Sequence, residues 1–188
     1  MATDVSAGYL DLCKSGIGDY NVLKADVHIC TLGQRLKHVR FSAEEVGDLR
    51  MLGVGVDAIS INAFAVANIM GTHFRAGQWG KHSRTCSSVF TCVLNGRSVY
   101  GYVCKFLNVD GDNRPGFASV KWFGPPQYPC GSNRLEVVVS AGGEDIEREI
   151  GSCLIPITKI DPSMVVVEPV NGVTYRMMRQ SGYDTVRS

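Results

Sequence analysis

The chain has no excess of charge of either sign: nineteen lysines and arginines face eighteen aspartates and glutamates, a formal net charge of +1. Bulk charge therefore selects neither a polyanion nor an acidic membrane surface as partner. No apolar run is long enough to cross a bilayer as a helix, and the opening residues MATDVSAG lack the charged and hydrophobic regions of a signal peptide. An intracellular protein with no membrane partner is expected. The seven cysteines include no CxxC pair, and their odd number leaves one unpaired in any intramolecular scheme, so reduced thiols fit best. Cys92 and Cys104 fall within apolar strand-like stretches, where a thiol behaves as a small hydrophobe. One further absence is local. Between Asp57 and Asp110 there is no acidic residue, while Arg75, Lys81, Arg84, Arg97 and Lys105 fall there together with His73 and His82. Such a stretch is either a solvated face whose countercharges come from elsewhere in the fold or a surface for DNA or RNA phosphates.

Motifs that carry chemistry are also missing. Gly53, Gly55 and Ala58 have the G-x-G-x-x-A spacing of a dinucleotide site, but GDLRML before them reads as a helix end and not a buried strand. The acid that should hold a ribose about twenty residues further on would fall in the acid-free stretch. Gly80-Lys81 has His82 where a phosphate loop needs Ser or Thr, and Arg75 where it needs its first glycine. His73, His82, Cys86 and Cys92 are zinc-ligand types, yet only His82 and Cys86 approach knuckle spacing. There is no G-x-S-x-G elbow and no visible pairing of a nucleophile with a base. No catalytic residue, metal or cofactor is expected, and the chain does not read as an enzyme.

What the sequence does hold is a run of strands. VFTCVL (89–94) is followed by Asn95-Gly96, the dipeptide that tolerates two positive φ angles in a type I′ hairpin turn, then by SVYGYVCKFLNV, a polar loop and FASVKWF (117–123). Three consecutive antiparallel strands are predicted, at Val89–Leu94, Val99–Val109 and Phe117–Phe123. Further strand candidates are Tyr20–Thr31, extended by Leu36–Phe41, then the end of Val56–Met70, Leu135–Val139, Ser152–Ile160 and Met164–Glu168. Asn171-Gly172 closes a second hairpin. Ser42 and Glu45 have capping-box spacing before a helix from Ala43 to about Leu52, with Gly53 placed to end it, and the acidic AGGEDIEREIG forms one helical turn. Gly71–Ser88, rich in Gly, Ser, Thr and basic residues, reads as a long connection and as the domain boundary. With 45% hydrophobic residues the chain has material for a sizeable core.

Alternation along the second strand places Tyr100, Tyr102 and Phe106 on one face, and Trp122 and Phe123 on opposite faces of the third. Most rings in a small barrel fill it, and Trp122 is read as core beside Ala118 and Val120. The alternative is that Tyr100, Tyr102, Phe106 and Phe123 meet a partner at the barrel mouth, holding a methylated lysine or stacking on a base.

The pattern G-x-x-VYGYVCKFLNV, then FASVKWFGPP, then CLIPITKID-x-x-x-VVVEP resembles bromo-adjacent homology (BAH) domains and their Tudor and SH3-like relatives. It is most similar to the BAH-like segment near the C-terminus of proteins encoded by some eukaryotic DNA transposons, and it covers about Ser87 to Asp184. The resemblance implies a non-catalytic module docking onto chromatin, a histone tail or another protein, in the nucleus. The expected architecture is mainly β: a smaller mixed α/β N-terminal part over 1–72 and an SH3/BAH-like barrel over 73–188. The alternative role is the nucleic-acid-binding part of a transposon-derived protein, through Arg75, Lys81, Arg84, Arg97 and Lys105.

Overall fold

Asn95 and Gly96 both take up left-handed backbone, with φ of 50° and 76°, so the turn closes as its sequence requires. Ser42 and Glu45 likewise exchange both capping-box bonds at the start of a helix. The computed structural model describes residues 21–24, 29–54, 61–77, 79, 87–110, 116–131 and 136–180. In chain order the elements are β1 (Asn21–Lys24), β2 (Ile29–Arg35), α1 (Ala43–Met51), β3 (Ile61–Ile69), β4 (Thr72–Arg75), β5 (Val89–Leu94), β6 (Arg97–Val109), β7 (Phe117–Trp122), β8 (Glu136–Ser140), α2 (Glu144–Ile150), β9 (Leu154–Pro156), a 3₁₀ turn (Ile157–Lys159), β10 (Met164–Asn171) and β11 (Thr174–Gln180).

The fold is mainly β. Among the described residues eight strands form one sheet in the order β1-β2-β3-β6-β7-β9, with β4 added to β3 and β5 to β6. The sheet curls into a half-barrel. The expected meander is present as β5, β6 and β7, antiparallel throughout. A fork explains part of the curl. The first half of β3, Ile61–Phe64, pairs with β6, while its second half, Val66–Ile69, pairs with β4. The fork is closed by bonds from Gly77 N to the Val103 carbonyl and from Arg75 N to the Ser87 carbonyl, both 3.0 Å.

One face of this sheet carries the main core, including Phe64, Phe74, Phe90, Phe106 and Trp122. Gly101 is required where Phe90 crosses β6, because a Cβ there would lie 2.8 Å from the Lys121 carbonyl oxygen and 3.0 Å from the Phe90 ring. The opposite face carries two separate clusters. Over one of them, with Leu49, Val54, Leu107 and Phe117, packs α1. Over the other packs a second, three-stranded sheet in the order β10-β11-β8, through Val137, Val139, Val165, Val167 and Met177. The β10–β11 hairpin is the one that Asn171-Gly172 announced.

Position 72/73 falls inside the β3–β4 hairpin, and the large sheet runs across it, since β3 pairs with both β4 and β6. Several other expectations are corrected. The supposed connection from Gly71 begins with β4, turned by Met70 and Gly71 at φ 48° and 86°; methionine is not a residue by which turns are recognised. Leu36–Phe41 does not extend a strand. The path bends away after Arg35, with Gln34 and His38 at φ 58° and 56°, and Leu36, Val39 and Phe41 pack into the cluster under α1. The acidic insertion forms α2, about two turns long. Phe106 does not share a face with Tyr100 and Tyr102. A register shift between Val103 and Lys105 inserts one residue into the alternation, so Phe106 joins Val103 in the main core, fully buried.

Candidate functional site

Of the aromatic set expected to meet a partner, Tyr100 and Phe123 are 3% and 1% exposed and Tyr102 is half-buried, all three on the face covered by the small sheet. Trp79 joins them. Its indole stacks on Tyr102 with centroids 5.4 Å apart, and it meets Phe123 and Tyr175 edge-on at 4.7 and 4.8 Å. The cluster fastens the small sheet to the large one, with each aromatic pair adding about 0.5–1.5 kcal/mol beyond the area it buries. Burial pushes the phenols of Tyr100 and Tyr102 up, so both stay protonated. Sequence reading missed Trp79 and Tyr175 because one lies in a glycine-rich connection and the other in a distant hairpin.

Among the described residues, the members of the basic set, Arg75, Arg97 and Lys105, stand apart. Arg75 stands exposed on β4. Arg97, at the β5–β6 turn, pairs with Glu149 of α2 at 3.1 Å. Lys105 lies eight residues further along β6, roughly 26 Å away at ~3.3 Å per strand residue. It is committed to Glu45 at 2.8 Å and to the Arg40 carbonyl at 3.1 Å. Lys81 and Arg84 lie outside the described residues, as do His82 and Cys86.

The Glu45 site has the residue types of a reactive centre and a structural arrangement. Its carboxylate accepts from Lys105 Nζ, from Ser119 Oγ at 2.6 Å and from Ser42 N at 2.9 Å. Burial alone would raise its pKa, but these bonds and the lysine charge outweigh it and hold the carboxyl below its ordinary value. One turn on, Asp48 accepts from Ser152 Oγ and from the backbone amides of Cys153 and Leu154. The two carboxylates lie on one face of α1 and dock it on β7 and the start of β9. The neighbouring thiols are unactivated: burial pushes Cys153 up to about 12 and also raises Cys104, so neither is a thiolate at neutral pH. Cys30, Cys92, Cys104, Cys130 and Cys153 are all free thiols, and no metal-holding group of His, Cys, Asp and Glu occurs among the described residues.

One open feature among the described residues is a groove of about 490 Å³ where three elements converge: the β5–β6 turn, the proline-rich loop after β7 and α2. That volume lies within the range of ligand-binding clefts. Leu94, Val99, Ile146 and Ile150 form the apolar floor, Pro125, Pro126 and Tyr128 one wall, and Arg97 and Glu149 the rim. Tyr128 is 58% exposed. The loop is held by Gln127, whose N–H and carbonyl both bond to Val138 at 2.8 Å, and by Gly124 N on the Ser140 carbonyl. The helix comes this close because Gly143 precedes it, where a Cβ would lie 1.9 Å from the Trp122 carbonyl oxygen. The outer surface of α2 is acidic: Glu144, Asp145, Glu147 and Glu149 are exposed against the single cation Arg148.

Comparison of the chain with protein-family models, with curated proteins and with solved structures finds no match.

Proposed function

We propose that the chain is a non-catalytic interaction module that docks a basic segment of a protein partner in the groove between the β5–β6 turn, the 124–130 loop and α2. The observation that carries this is the pairing of an apolar, aromatic-walled cleft with an acidic helix along one side. Anchoring side chains would enter the floor beside Tyr128, and lysines or arginines would run along Glu144, Asp145 and Glu149. Charge complementarity of this kind steers encounter and sets register, while the buried anchors supply most of the affinity. The curled β5-β6-β7-β9 arrangement and the aromatic-rich strands support an SH3/BAH-like reading of the fold. On that reading a histone tail or another chromatin-associated segment in the nucleus is the partner chemistry the groove fits.

The test uses NMR chemical-shift mapping with synthetic basic peptides of histone-tail composition and an acidic peptide of equal length. Shifts confined to Leu94, Tyr128, Ile146 and Ile150 with the basic set alone support the proposal. Tyr128→Ala and Glu149→Lys should each weaken the titration about tenfold or more, the loss expected of anchor and complementary-charge positions. Shifts elsewhere, or none, overturn it.

A further inference from the structure

Between the end of β2 and the N-cap of α1, the path from Arg35 to Phe41 alternates in what it presents. Leu36, Val39 and Phe41 are half-buried against the cluster under α1, while Arg35, Lys37, His38 and Arg40 are exposed. Arg97, Lys105, Arg148, Arg176 and Arg179 each have a carboxylate within 4.0 Å. Among the described residues no carboxylate pairs with Arg35, Lys37, His38 or Arg40. The acids on elements packed nearby are mostly engaged: Glu45 by Lys105 and Ser119, Asp48 by Ser152 and two amides, and Asp110 by Asn62 Nδ2 at 2.8 Å. Glu44 is solvent-exposed at the first turn of α1.

The loop is shaped as well as charged. Gln34 and His38 are held in left-handed backbone, a conformation that non-glycine residues keep only where the surroundings impose it and that concentrates at functional segments. Beside the loop runs an open groove of about 790 Å³, with Asn62 among its lining residues and Arg35 donating to the Asn62 side-chain oxygen. The cations fall within six consecutive residues, and one nucleic-acid strand places a phosphate about every 3.4 Å of helix axis. A membrane surface fits less well, because the apolar residues of this segment turn inward and leave none to enter an acyl layer.

We propose that the 35–40 loop is a contact for the phosphate backbone of a nucleic acid, with Arg35, Lys37 and Arg40 as its principal cations. The proposal does not rest on the peptide groove. Arg40 meets Lys105 near one end of the β6 path and Arg97 marks the groove at the other, so peptide binding and nucleic-acid binding fail separately. Contacts of this class position without reading sequence, so unrelated duplexes should bind alike.

The experiment is fluorescence anisotropy of the full chain with two unrelated labelled 20-base-pair duplexes across a salt series, starting at about 50 mM. Wild-type affinity should fall linearly on a log–log plot. Lys37→Ala with Arg40→Ala should reduce it about tenfold at low salt and flatten the slope by roughly 0.9 for each phosphate that is no longer neutralised. Lys37→Arg with Arg40→Lys should retain binding, and Arg75→Ala and Arg97→Ala should leave it unchanged. Thermal melts establish that each variant is folded, and because both alanine positions are exposed they should match wild type. Absence of wild-type binding at low salt, an unchanged slope in the double variant, equal loss in Arg97→Ala, or binding to phosphatidylserine vesicles without binding to duplex would each overturn the proposal.

Discussion

Lys105 and Glu45, sixty residues apart in the chain, meet at 2.8 Å with side chains only 15% and 7% exposed. Losing one member of such a pair leaves the other desolvated and unmatched, which costs about 3–5 kcal/mol. Lys105→Met should therefore lower stability by that order in a urea titration, and Lys105→Met with Glu45→Leu should recover a large part of it. The pH dependence has a definite sign. Because the folded carboxyl of Glu45 is held below its ordinary value near 4.5, its contribution is complete above that value and is lost as pH falls through the folded value. Glu45→Gln should flatten the acid limb of the stability profile and leave its alkaline limb in place. A residue read as a nucleic-acid contact on charge alone thus proves to be an internal fastening of α1. Trp122, by contrast, was legible from its position on a strand face. It is 3% exposed, and its Nε1 donates to the Ser152 carbonyl at 3.2 Å. Trp122→Ala should cost about 3–5 kcal/mol in equilibrium unfolding, and a loss under about 1 kcal/mol would mean that the ring is not core.

At the level of elements, the legible pieces are those whose determinants are local. The Asn95-Gly96 turn and the Ser42–Glu45 box each lie within four residues, and both were readable with their flanking strands or helix. What was not readable depends on a register shift or on distant pairing. The irregularity near Cys104 moves Phe106 to the other face, and nothing in VCKFLNV marks it. Met70-Gly71 makes a turn that its composition does not announce, so β4 reads from sequence as part of a connection. The groove joins a proline-rich loop to an acidic helix with β8 between them, and their convergence depends on Gly143. This gives a paired test. Gly143→Ala would drive a methyl group into the Trp122 carbonyl, while a Cβ at Gly142 meets nothing within 4 Å. Gly143→Ala should lower the melting temperature by several degrees, as expected for about 1–3 kcal/mol of overpacking, and shift the resonances of Ile146 and Ile150. Gly142→Ala should do neither.

For the whole molecule, the decisive fact is that β3 supplies the pairing edge for the second half of β6, Phe106–Val109. A chain cut at the composition boundary, residues 73–188, would keep the β5–β6–β7 meander and the small sheet. It would lose β1 to β3 and α1. The main core would then lack Cys30, Leu32, Phe64, Ala67 and Ile69, the cluster under α1 would lack Leu49, Val54 and Ala63, and a strand edge would be laid bare. Unpaired edges and uncovered apolar faces lead to association instead of a stable monomer. The 73–188 fragment should therefore lack a cooperative thermal transition, bind a hydrophobic dye and aggregate at micromolar concentration, whereas residues 21–180 should unfold in one step. A fragment that melts cooperatively with dispersed amide resonances would restore the two-part organisation that composition implies. The same comparison bears on both binding surfaces. The peptide groove lies wholly within 73–188, but its floor rests on β5 and β6, which the missing core supports from behind; the 35–40 loop lies wholly outside. If the sheet is one cooperative unit, neither surface can be transplanted as an independent domain, and a basic segment bound at α2 should raise the melting temperature of the whole chain as a single transition.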